Sequence, residues 1–164
     1  MNTHVGQVKK TNNQIKKHVS QMSFIELNNI VNFFKNKTVK HDITLSNHLK
    51  DKIMNGEVVL NTTMLANIFD NINQSIIEYN VTNGTPRLLL RSLSQENIMI
   101  DNKYQYTNLC IVIDLLSFRI VTAYHNLAND FHDDIDYNRY DENMEVQPYD
   151  YIFKERVDNP YLTW

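Results

Sequence analysis

The period of the apolar positions changes near Ser75. Upstream of it, Phe24, Leu27, Val31 and Phe34, with Ile30 beside them, recur at helical spacing, and Ser23 with Glu26 forms a capping box ahead of them. A second stripe, Leu45, Leu49 and Ile53, predicts a helix over 46–55, stopped by Gly56. Thr62 or Thr63 is expected to cap a third helix that turns Leu65, Ile68, Phe69 and Ile72 inward. Downstream, short apolar runs alternate with turn residues: 75–80 (SIIEYN), 87–92 (RLLLRS), 109–114 (LCIVID) and 119–125 (RIVTAYH). Asn83-Gly84 signals a hairpin, with a loop longer than two residues. Asp101-Asn102 is a second turn between short strands at 97–100 and 104–106. The run 109–114 is apolar throughout and is expected to be the central strand, covered on both faces. A turn at 115–118, a short helix near 127–134 and an edge strand over 145–154 complete the expectation. Helices followed by a meander predict an α+β fold, with N-terminal helices packed on one face of an antiparallel sheet of four to five strands.

The chain has 164 residues, enough to bury a core without disulfides or metals. Residues 1–20 are polar and lysine-bearing and are expected to be a flexible basic arm, leaving 21–164 as a single domain. The net charge of −3 argues against coating nucleic acid by bulk electrostatics, but the charge is unevenly spread. Lysines crowd the first 52 residues, and the stretch 130–158 is strongly acidic. The single cysteine, Cys110, excludes an internal disulfide and fits a reducing cytoplasm, here that of a bacterial host cell. Within LCIVI it reads as a small buried hydrophobe rather than a catalytic thiol. No signal peptide and no membrane-length apolar run is visible. The richness in Asn, Ile, Lys and Tyr matches the coding bias of an AT-rich genome, as in a low-GC bacterium or its phage.

The candidate chemistry lies on the regular elements. His48 shares a helix face with Lys52 at i+4; imidazole and ammonium there suit acid–base catalysis beside phosphate charge, although a surface His next to a solvated Lys is the commoner arrangement. Lys50 is a further cation for nucleic acid. Arg87 and Arg91 flank LLL at period-two spacing and therefore share a sheet face, where they can hold a phosphate or simply lie on the solvent side paired with Glu78. Thr122 and Tyr124 share a face of the next strand; they can orient a phosphate or donate a proton, and are also plain strand formers. His125, Asp130, His132, Asp133, Asp134 and Asp136 carry metal-ligating groups, but at no recognised ligand spacing, and no metal or cofactor is expected. The aromatic tail, with Tyr149, Tyr151, Phe153, Tyr161 and Trp164, suits base stacking or folding back on the core.

A helix bearing His (SNHLKDKI), a strand bearing Arg (RLLLRS) and a strand reading IVTAY resemble, over 46–125, the barnase–EndoU–colicin–RelE type of small ribonuclease fold. That resemblance implies metal-independent cleavage of RNA, often tRNA, through a 2′,3′-cyclic phosphate. Its roles would fall on His48 as acid and base, Arg87 or Arg91 and Lys52 as phosphate ligands, and Thr122 and Tyr124 as positioning groups. The acidic segment after IVTAY and the negative net charge depart from the pattern. They leave open a non-enzymatic reading, a phage-type inhibitor such as an anti-CRISPR protein that binds a host protein or nucleoprotein complex. The expected partners are thus RNA, or a host complex, and not a membrane.

Overall fold

The computed structural model describes residues 14–100, 102–130 and 136–148. Four α-helices precede most of the sheet: α1 (Phe24–Lys40), α2 (Asn47–Met54), α3 (Thr62–Asp70) and the single turn α4 (Ile72–Ser75). The strands are β1 (Gln14–His18), β2 (Thr44–Leu45), β3 (Ile76–Thr82), β4 (Thr85–Arg91), β5 (Glu96–Ile100), β6 (Lys103–Asp114) and β7 (Arg119–Leu127). The fold is mixed α+β, as the change of period implies.

The helix starts follow from local chemistry. At α1 the Ser23 hydroxyl accepts from the Glu26 N–H at 3.1 Å and the Glu26 carboxylate accepts from the Ser23 N–H at 3.0 Å, satisfying two orphan donors. Ser46 caps α2 through the Leu49 N–H and donates its own proton to the Val121 carbonyl, tying that helix to β7. The cap of α3 is Asn61, not Thr62 or Thr63; the Asn61 Oδ1 accepts from the Met64 N–H at 3.0 Å. An Asn one residue earlier reaches the same orphan N–H groups, which is why the sequence alone misplaces this boundary.

The sheet is larger than four or five strands. Among the described residues seven strands join it, in the order β1-β3-β4-β6-β7-β2, with β5 paired to the first half of β6. Every pairing is antiparallel except the two-residue match of β2 along β7, which is parallel. Three details revise the strand expectations. The β3–β4 hairpin closes with Thr82 opposite Thr85, so Asn83-Gly84 is a two-residue loop with both residues at positive φ, the turn whose twist suits a hairpin. Strands expected separately at 104–106 and 109–114 are one strand, β6. Residues 14–18, expected in the basic arm, form β1, whose partners run from Gln14↔Thr82 to His18↔Glu78.

One face of the sheet carries the core, in which Tyr79, Leu88, Leu90, Leu109, Ile111, Ile113 and Ile120 meet Ile30, Phe34, Leu49 and Ile68 from the helices. The turn from β6 to β7 ends on Phe118, which adopts φ +57° while its ring is fully buried 5.2 Å from that of Phe34. A bulky residue takes that conformation only where its surroundings over-determine it. Here the Asp114 Oδ1 fixes the turn by accepting from the Leu116 and Ser117 N–H groups. Cys110 is buried, as LCIVI implies, and burial pushes its thiol up to about 11. Residue 127 ends β7 and 128–129 form a turn, so the described part of 127–134 is not helical; 145–147 are likewise not strand, and the rest of that expected edge strand and the aromatic tail from Tyr149 lie outside the described residues. Among the described residues no helix is long and apolar enough to cross a membrane.

Candidate functional site

The second face of the sheet is set by strand alternation. In β4, Pro86, Leu88 and Leu90 are buried, so Arg87, Leu89 and Arg91 point to the other side. Register carries that side across the sheet: Leu89 faces Val112, which faces Thr122, and Arg91 faces Cys110, which faces Tyr124. Arg87, Arg91, Thr122 and Tyr124 therefore do share one face.

That face is folded into a groove of ≈ 420 Å³ lined by Lys16, Glu78, Arg87, Thr122, Tyr124 and Tyr140, with Arg139 at its rim. Two register irregularities help to shape it. One places Ile77 as an extra residue in β3, the other Val121 in β7, and both of these residues line the groove. Bulges raise the local twist and bend a strand, which curls a flat face into a channel.

Hydrogen bonding separates the two arginines of β4, of which Arg87 lines the groove and Arg91 does not. Arg91 is engaged: its guanidinium donates to the Asn108 side-chain oxygen at 3.2 Å and to the Leu127 carbonyl at 3.3 Å, bracing β4 across β6 to β7. Arg87 is half-buried and makes no hydrogen bond or ion pair with another described residue; its buried Nε has no partner. Neither arginine pairs with Glu78, whose carboxylate instead accepts from the Tyr140 hydroxyl at 2.8 Å, with the Lys16 ammonium 3.9 Å away. The same ammonium lies 4.8 Å from the centroid of the Tyr140 ring. Burial, then the Cys110 thiol and the Glu78 carboxylate, push the Tyr124 phenol well above its ordinary range; burial and Glu78 do the same to Tyr140. Both phenols are therefore hydrogen-bond donors rather than phenolates at neutral pH.

The helix candidates lie elsewhere. His48 is exposed on α2 and does not line the groove; Lys50 is exposed as well. Lys52 is half-buried, and its ammonium donates to the Ala123 carbonyl at 3.3 Å along the edge of β7. The structure thus unites Arg87, Thr122 and Tyr124 in one groove and leaves His48 outside it. The groove residues that the sequence does not announce are Lys16, Arg139 and Tyr140, and Glu78, expected only as a partner of the arginines, joins them from β3.

His125 is part of a different contact. Its Nε2 accepts from the Val59 N–H at 3.0 Å, which fixes the neutral tautomer with the proton on Nδ1. Burial lowers its pKa in the same direction, with Glu96 opposing. Asp136, another acidic group of that region, caps a turn through the Asn138 N–H. Among the described residues no three His, Cys, Asp or Glu side chains are grouped to hold a metal ion; His132, Asp133 and Asp134 lie outside those residues. No protein-family model, curated protein or solved structure matches the chain.

Proposed function

We propose that the protein binds single-stranded RNA in the groove on the second face of its sheet, with a backbone phosphate held by Arg87. The observation that carries this reading is the Arg87 guanidinium, half-buried in a groove beside Lys16 and Arg139 and without an anionic partner among the described residues. A desolvated cation without a carboxylate is costly to the fold and is compensated when an anion arrives. A phosphate suits the forked guanidinium, which can engage two of its oxygens at once. Thr122 adds a neutral hydroxyl for another oxygen or for the ribose hydroxyl, whereas the one phenol proton of Tyr140 is held by Glu78.

Cleavage through a 2′,3′-cyclic phosphate needs a group that takes the 2′-OH proton. Among the described residues the carboxylate that lines the groove is Glu78, held by Tyr140 and Lys16, whereas His48 is exposed on α2 outside it. The ribonuclease reading is therefore carried here by Glu78, Arg87, Thr122 and Tyr124. A tRNA pool incubated with the protein in EDTA tests it. Cleavage that survives chelation, falls by about 10²-fold or more in Glu78→Gln and is unchanged in His48→Ala is the expected result for an active enzyme. Binding without cleavage marks a ribonuclease-like groove that only binds. Failure to bind RNA at all, with capture of a host nucleoprotein complex instead, overturns the reading in favour of an inhibitor.

A further inference from the structure

Beside the groove lies a second hollow, of ≈ 530 Å³, between the residues that follow α2 and the β5–β6 hairpin. Its walls are largely aliphatic, from Val58, Val59, Ile98 and Ile100. At its rim stands Tyr104, 65% exposed, which makes no ring contact with another described residue. Tyr124 lines both the hollow and the groove, so one aromatic side chain is common to the two. Among its polar groups, Lys52 donates to the Ala123 carbonyl and the His125 Nε2 accepts from the Val59 N–H, while the buried His125 Nδ1 has no partner among the described residues.

We propose that this hollow receives one nucleobase of the strand whose phosphate lies at Arg87, with Tyr104 and Tyr124 providing the stacking faces. The inference rests on the RNA-binding reading and adds to it a site for the base. A nucleotide has two unlike parts, a charged phosphate and a flat ring with apolar faces. The groove holds Lys16, Arg87 and Arg139, whereas the hollow sets Val58, Val59, Ile98 and Ile100 beside two phenol rings, with its cation, Lys52, bonded to a backbone carbonyl. The two phenol rings offer stacking faces, and every base has a face to set against them, so the hollow suits an unpaired base. A base within a duplex is already stacked and cannot enter.

The probes are a fluorescently labelled oligouridine and an abasic strand of equal length and charge. Stacking of one base on an aromatic residue is worth about 5- to 150-fold in affinity. Tyr104→Ala is expected to weaken oligouridine binding by that factor and to leave the abasic strand unaffected, while Tyr104→Phe, which keeps the ring, binds like wild type. If Tyr104→Ala changes neither strand, or both equally, the base site is wrong although Arg87-dependent binding of the abasic strand still upholds the groove. If wild type binds neither strand, the RNA reading itself fails. A wild-type dimer in sedimentation that Tyr104→Ala dissociates makes the hollow a surface for a second copy and overturns the base site.

Discussion

Arg87 and Asp114 face each other in register across β4 and β6, yet they form no ion pair. The Asp114 Oδ1 is already taken by the Leu116 and Ser117 N–H groups of the turn that follows, at 2.9 and 3.1 Å. The carboxylate in register with Arg87 thus holds a turn, and the guanidinium makes no hydrogen bond or ion pair with another described residue. Asp114→Ala is expected to cost about 1 kcal/mol of stability through the lost turn bonds. RNA affinity should not fall. Urea denaturation and a binding titration on the same variant check the two halves of this expectation.

Arg91 sits on the same sheet face with the opposite role. Its bonds to Asn108 and Leu127 make it a brace between strands, and its removal leaves the buried Asn108 oxygen without that donor. Arg91→Ala should lower stability by about 2 kcal/mol, the range for hydrogen bonds from a charged group. In the folded variant, binding should match wild type at temperatures well below its melting point. A loss of affinity without a loss of stability would place Arg91 at the ligand instead.

The Lys17–Glu26 pair joins β1, α1 and the stretch around Val146. The Lys17 ammonium donates to Glu26 at 2.9 Å and to the Met144 carbonyl at 3.2 Å, and the Glu26 carboxylate also accepts from the Val146 N–H. Burial works to raise the Glu26 pKa but is outweighed by the Ser23 N–H, Lys17 and the Val146 N–H, so the net shift is below its ordinary 4.5. A carboxylate lowered in the fold contributes stability that is complete above its unfolded pKa and fades as pH falls through the folded value. Glu26→Ala should therefore cost about 3 kcal/mol at neutral pH, and its stability should depend less on pH below 4.5 than that of wild type. Denaturation midpoints across an acid series measure both.

How much of this was legible in the sequence depended on how local the determining contacts are. The helices and the caps at Ser23 and Ser46 could be read because their signals lie within one turn. The period-two placement of Arg87, Arg91, Thr122 and Tyr124 on sheet faces was likewise available from spacing alone. Strand β1 was not, because QIKKH has no apolar alternation; its extended state comes from pairing with β3, and Lys17 is buried only because Glu26 and Met144 meet it. Strand β6 read as two pieces because Thr107 and Asn108 interrupt its apolar run. Both are buried, Asn108 bonded to the Ser92 and Ser94 carbonyls and Thr107 to that of Glu96. The same distance in sequence hid Glu78 and Tyr140, which meet across 62 positions. It also hid the difference between the two arginines, since the partners that engage Arg91 are Asn108 on β6 and Leu127 on β7, 17 and 36 positions away.

The central claim is that Arg87 holds a phosphate, and the salt dependence of binding addresses it most directly. The affinity of wild type and Arg87→Ala for a labelled oligouridine would be followed by fluorescence anisotropy through a salt titration, with circular dichroism to verify that the variant is folded. The loss of one charged contact should weaken binding by at least about tenfold and reduce the slope of log affinity against log salt by about 1. A folded Arg87→Ala protein that binds as tightly as wild type, with the same slope, would contradict the assignment.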